Sequence, residues 1–134
     1  MLQDILIIDD DEVLLFLHEV IITDLITENT TIRPYNNATD AFYYLDSIKN
    51  ENKSTLILLD LNMPEVSGWD FLDKLNEASF KDNIIVIIIT SSINSSDKSK
   101  AKLYSQVIQF MEKPLLVDNI QDWKKNSKLN HFFA

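Results

Sequence analysis

The chain has 134 residues, of which 46% are hydrophobic, with a net charge of −9, no cysteine and one glycine. That length suits a single domain with its own core. The acidic balance disfavours bare nucleic acid and anionic membranes, which both need basic patches, and the lack of cysteine removes disulfide and thiolate chemistry. A lone glycine also excludes both the dinucleotide fingerprint and the P-loop, which need several. No apolar run is long enough to cross a bilayer, and the N-terminal "MLQDILIIDDDE" turns acidic too early for a signal peptide, so a soluble, cytoplasmic protein is expected.

In chain order, "DILIID" (4–9) reads as a buried strand. Residues 11–27 read as a helix, with Val13, Leu17, Ile21 and Leu25 recurring every four residues on one face. "TTIRPY" (30–35) is a weaker strand whose Pro34 argues for the sheet edge, because proline cannot donate to a ladder. A helix over 37–49 follows, capped by Asn37. "STLILLD" (54–60) is a fully apolar strand, 67–77 a helix, and "NIIVIIIT" (83–90) the most apolar strand of all. A polar helix with serine caps (95–106), a strand (107–113) and a helix (116–129) complete the chain. The tail aromatics Phe132 and Phe133 either pack back on the body or form an exposed anchor. Five β-α repeats with continuous Ile/Leu/Val strands imply an α/β fold, a parallel sheet covered by helices on both faces. One domain spanning 1–134 is expected, with no output domain following it.

Function in such sheets collects at the carboxyl ends of the strands. Here the first strand ends on Asp9 and Asp10, the third on Asp60, the fourth on Thr90 and the fifth on Lys113. Alone, each has a plain reading: a helix cap, a turn residue, a surface lysine. Together on one rim they compose a chemistry. Carboxylate oxygens suit a hard ion such as Mg²⁺, while an ammonium and a hydroxyl can neutralise charge on a transferred phosphoryl group. Asp60 would be the nucleophile, forming an acyl phosphate.

At this point the motifs resemble a family. "ILIIDDDE", "LLDLNMPEVSG", "VIIIT" and "MEKP" are similar, in order and spacing, to the signature segments of two-component response regulator receiver domains. The resemblance implies a doubly wound, flavodoxin-like five-stranded parallel sheet of order 2-1-3-4-5 with five helices. It implies Asp60 as phosphoacceptor, a Mg²⁺ cofactor ligated by Asp10, Asp60 and the backbone carbonyl of Asn62, and Asp9 holding a metal-bound water. Thr90 and Lys113 would bind phosphoryl oxygens, the Lys113–Pro114 bond would be cis, and Gly68 would serve the turn before the third helix. Thr90 and Phe110 would form the switch, with phenylalanine where the family often has tyrosine.

The implied partners are a sensor histidine kinase or histidine phosphotransfer protein, and a downstream protein docking on the face around Phe110 and the fourth helix. Direct contact with nucleic acid or membrane is not expected. Small residues at Asn62 and Ser92 point to a phosphoryl group that is not exceptionally long-lived. Asp11 and Glu12 favour the macrodipole at a helix start, and His18 and His131 read as surface or packing residues. Other readings compete, among them a metal-only binding protein, which would leave Lys113 unexplained. A haloacid-dehalogenase-type phosphatase shares the strand-end aspartate, but Asn62 stands where its second acid belongs. A degenerate receiver would serve only as a binding scaffold, although all five core positions are intact.

Overall fold

The computed structural model describes residues 2–91 and 93–134; Ser92, tied above to phosphoryl lifetime, lies outside the described residues. Five strands, β1 (Gln3–Ile8), β2 (Thr30–Tyr35), β3 (Ser54–Leu59), β4 (Ile84–Thr90) and β5 (Val107–Glu112), form one sheet. All neighbours are parallel, in the order β2-β1-β3-β4-β5. The doubly wound order expected from the resemblance is thus observed, and β2, with Pro34, is an edge strand. Five helices connect and follow the strands: α1 (Glu12–Thr23), α2 (Ala38–Ser47), α3 (Gly68–Asn76), α4 (Ser95–Ala101) and α5 (Val117–Trp123).

The continuous apolar strands have a direct cause, since side chains alternate between two covered faces. Leu6, Ile8, Ile57, Leu59, Val86 and Ile88 face one cluster with Ala41, Leu45, Phe71, Leu72 and Leu75 from α2 and α3. Ile5, Ile7, Leu56, Leu58, Ile87 and Ile89 face the other with Ile22 of α1, Ile120 and Trp123 of α5, and Leu129, Phe132 and Phe133. The tail therefore packs back. It is fastened by an antiparallel bridge between Ile26 and Phe133 and by the Thr27 N–H donating to the Phe132 carbonyl at 3.1 Å.

Several expectations are corrected. Only half of the expected inward face Val13-Leu17-Ile21-Leu25 holds: Ile21 and Leu25 are partly buried against the core, but Val13 is 77% exposed and Leu17 is exposed, whereas His18 and Ile22 are buried. A strict four-residue period drifts around a 3.6-residue helix, and α1 is apolar on nearly all sides, so packing rather than periodicity selected the face. Asp11 is more than a favourable charge, because its side chain caps α1 by accepting from the Val13 and Leu14 N–H groups. Asn37 caps α2 as expected, while α4 is capped by Asn94 rather than by serine. Helix α4 stops at Ala101, its one buried residue, since a polar helix has little apolar surface to hold a third turn. Helix α5 stops at Trp123, and the chain turns so that Leu129 and the tail can reach the core.

Candidate functional site

The strand order reverses between β1 and β3, the switch point at which open α/β sheets leave a crevice. Asp9 and Asp60 each stand one residue beyond these strands. The Asp60 N–H donates to the Ile8 carbonyl at 3.0 Å and the Asp9 N–H to the Tyr35 carbonyl at 3.1 Å, so both remain tied to the sheet. The carboxylates are held from below by backbone: Asp9 Oδ1 accepts from the Asp11 N–H at 2.9 Å, and Asp60 Oδ1 from the Asn62 N–H at 3.4 Å.

The only glycine follows from this geometry. Gly68 opens α3 with its N–H on the Leu61 carbonyl at 3.0 Å. A Cβ there would lie 2.5 Å from the Asp60 carbonyl oxygen and 2.8 Å from the Leu61 Cα. The requirement is close approach to the backbone that carries Asp60, not an unusual φ, since no glycine has a positive φ. Helix α3 is fixed against that backbone by a capping box between Ser67 and Asp70.

Lys113 directly follows β5. Its N–H donates to the Thr90 carbonyl at 2.7 Å, and the Lys113–Pro114 peptide bond is cis. Its ammonium lies 2.7 Å from Asp9 Oδ2 and 3.4 Å from Asp60 Oδ1. Burial alone would lower the lysine's pKa, but the hydrogen bond and charge of Asp9, with those of Asp60, outweigh it and raise the pKa. One ammonium does not balance the rim. Asp9, Asp10 and Asp60 each offer an oxygen within 4.8 Å of the others. Asp60 is 4% exposed. Its carboxyl is pushed from 3.8 up to about 6, first by burial and then by the Asp9 charge, against the opposing pull of Lys113. An uncompensated group of hard oxygen donors is the chemistry a divalent cation fits, so these carboxylates could hold a metal ion.

The structure thus brings Asp9, Asp10, Asp60 and Lys113 together. Thr90 ends β4 on the same rim, buried, with its carbonyl gripping Lys113. Asn62 is exposed beside Asp60. Phe110 pairs with Ile88 and Glu112 with Thr90, so Phe110 and Thr90 share a sheet face, two positions apart. Phe110 is half-buried and borders a cavity of about 190 Å³ between α4 and β5, also lined by Lys98, Ala101 and Lys102. Two residues escaped the sequence reading. Asp4, inside a strand, is buried in an ion-pair cluster, and His18, read as surface or packing, is buried and hydrogen-bonded. A charge within an apolar strand was the available signal for the first; the second had none beyond being an imidazole in an apolar helix.

The doubly wound sheet and its acidic switch-point crevice define a class of small α/β signalling domains. Residues 5–123 match the family described as the response regulator receiver domain, and the chain belongs to it. It is 33% identical to the two-component response regulator ARR17 of Arabidopsis thaliana over 79 residues, which are 59% of this chain and 51% of that protein. It is 27% identical over 125 residues to protein-glutamate methylesterase/protein-glutamine glutaminase 2 of Shewanella sp. strain MR-4, 93% of this chain but 33% of that one. The chain therefore spans between a third and a half of these curated relatives. A two-component response regulator from Cytophaga hutchinsonii has the same fold, with a TM-score of 0.81 and 28% identity, covering 96% of this chain and 98% of that one.

Proposed function

We propose that the protein is a phosphoacceptor in two-component signalling, with Asp60 taking a phosphoryl group from a histidine kinase or histidine phosphotransfer protein. One observation carries the reading: a buried Asp60 carboxylate at the switch point, flanked by Asp9 and Asp10 and 3.4 Å from the Lys113 ammonium. An Asp60 oxygen attacks phosphorus and a new O–P bond forms. The P–N bond to the donor imidazole breaks, and the electron pair stays on that nitrogen. Lys113 shifts from pairing Asp60 to pairing a phosphoryl oxygen, and the Thr90 hydroxyl donates to another. Asp10, Asp60 and the Asn62 carbonyl would hold Mg²⁺, with Asp9 on a metal-bound water. The ion supplies charge neutralisation for the phosphoryl oxygens. Water attack on phosphorus later returns the Asp60 carboxylate, so the protein catalyses only its own phosphorylation and dephosphorylation.

The message would leave through the Thr90/Phe110 face. Phe110 shares a sheet face with Thr90, two positions away, so the ring is placed to respond once Thr90 is drawn toward the phosphoryl group. A downstream protein then docks around Phe110 and α4. Among the described residues no helix is long and apolar enough to cross a membrane, which accords with action in the cytoplasm. The test is intact mass after incubation with acetyl phosphate and Mg²⁺. A single phosphoryl adduct that requires Mg²⁺ and is absent from Asp60→Ala is expected. No adduct on the unmodified chain would return the protein to the scaffold reading.

A further inference from the structure

The phosphoryl chemistry above leaves His18 without a part, and unlike the ion-paired Asp4 it faces the element that carries Lys113. His18 lies on the inward face of α1 and is 2% exposed. Its Nε2 accepts the N–H of Leu115 at 3.1 Å, a contact between residues 97 apart in sequence. Leu115 is itself fully buried and directly follows the cis Lys113–Pro114 bond. Proline has no N–H. The segment Lys113–Leu115 therefore has two backbone donors: Lys113, bound to the Thr90 carbonyl at 2.7 Å, and Leu115, bound to His18. One bond fixes the segment to the sheet and the other to α1.

An aliphatic side chain would serve packing at position 18 equally well, since Ile22, Leu115 and Ile120 build the same apolar layer. It would leave the Leu115 N–H unpaired in a dry interior, where such groups are almost always satisfied. An accepting Nε2 carries no proton, so geometry assigns the neutral ring with its proton on Nδ1. Burial, which lowers the His18 pKa, keeps the ring in that form, aided by the Lys113 charge and opposed by Asp9 and Asp11.

We infer that His18 is a positioning residue for phosphoryl transfer: by holding the Leu115 N–H it anchors the Lys113–Leu115 turn and sets where the Lys113 ammonium stands against Asp60. The inference rests on the reading of Asp60 as the phosphoacceptor. Lys113 must reach Asp60 at rest and a phosphoryl oxygen afterwards, so small displacements of its backbone carry directly to the reacting atoms.

The experiment compares rate constants for adduct formation with acetyl phosphate and Mg²⁺ in the full chain and its variants His18→Gln, His18→Asn and His18→Leu. Gln can bring an acceptor to the position of Nε2; Asn is too short and Leu has none. Adduct formation about tenfold slower in the Asn and Leu variants, with the Gln variant within about twofold of the unmodified chain, is expected for a misplaced catalytic group. Amide exchange at Leu115 should stay slow in the Gln variant and quicken in the Asn variant. In a Lys113→Ala background, His18→Asn should cause no further slowing, because both changes act through one ammonium. Should the Leu variant fail to fold, the Gln and Asn pair carries the test. Four equal rates, or slowing that adds to that of Lys113→Ala, overturn the inference while the Asp60 reading stands. No adduct on the unmodified chain overturns the Asp60 reading, and the inference with it.

Discussion

Strand β1 carries a buried aspartate near its start, Asp4, and is followed by another, Asp9; their surroundings are opposite in kind. Asp4 is 1% exposed and fully answered. Arg33 Nε lies 3.1 Å from Oδ1, Lys53 Nζ lies 3.6 Å from Oδ2, and the Tyr44 hydroxyl donates to Oδ2. Burial, and then the hydrogen bond to Asp4, push the Tyr44 phenol pKa well up, so the phenol stays a donor. The Arg33 guanidinium also stacks 4.5 Å from the Tyr44 ring centroid. At the other end, Asp9, Asp10 and Asp60 cluster around one ammonium among the described residues, that of Lys113. One end balances two cations, Arg33 and Lys53, against two carboxylates, Asp4 and Glu51, the latter 3.8 Å from Lys53; the other has a standing excess of negative charge. Burial of a carboxylate does not by itself mark function; a buried carboxylate left under-compensated is the stronger candidate for a functional site. A balanced cluster holds structure together, while an unbalanced one keeps capacity for a cation and for a change of charge.

The comparison can be broken most severely at Asp4. Asp4→Ala removes the buried anion that Arg33 and Lys53 share, leaving Lys53 only Glu51 at 3.8 Å, and should cost about 3–5 kcal/mol of unfolding free energy in denaturant titration. Added Mg²⁺ should not recover that loss. At the rim the sign reverses. A carboxyl whose pKa is raised from 3.8 to about 6 in the folded chain holds its proton longer there than when unfolded. Asp60 therefore costs nothing below about pH 4, and its penalty grows through pH 6 to about 3 kcal/mol above it. Asp60→Asn should accordingly stabilise the metal-free protein by up to that amount at pH 8, with the gain vanishing near pH 4. Mg²⁺ should stabilise the unmodified chain more at pH 8 than at pH 5. If Asp60→Asn instead destabilised the protein at pH 8, the rim would be balanced after all. The smallest effect sharpens the contrast at the first end. Tyr44→Phe removes one donor but leaves both cations on Asp4, and should cost about 1.5 kcal/mol, the range of a hydrogen bond to a charged group.

Much of the fold was legible because it depends on patterns local in the chain. Apolar runs such as "ILII" in β1 and "IIVIII" in β4 need burial on both faces, and polar punctuation between them separates strand from helix. The site was legible for a related reason: in a parallel sheet every strand runs the same way, so residues at strand ends in the sequence are neighbours on one rim in space. Asp9, Asp10, Asp60, Thr90 and Lys113 could be nominated together on that ground. What failed was the choice among equivalent local options. Helix α1 offers apolar residues on most of its circumference, and nothing in it says that His18 and Ile22 turn inward while Val13 and Leu17 stay out. The ends of α4 and α5 depend on how much apolar surface each can dock, which is a property of the partner face.

By itself the sequence determined the alternation of strands and helices, their parallel arrangement, and the identity of the acids, hydroxyl and amine along the rim, because these follow from period, polarity and connection length. Only the tertiary structure decided which charges are answered. Asp4 meets Arg33 and Tyr44, 29 and 40 positions away in the chain, and Lys53 from farther still; His18 meets Leu115 across 97. Gly68 is required by the Asp60 backbone that it touches, not by its own turn. Compensation, tautomer and close approach are properties of pairs brought together by packing, and no single stretch of chain contains both members.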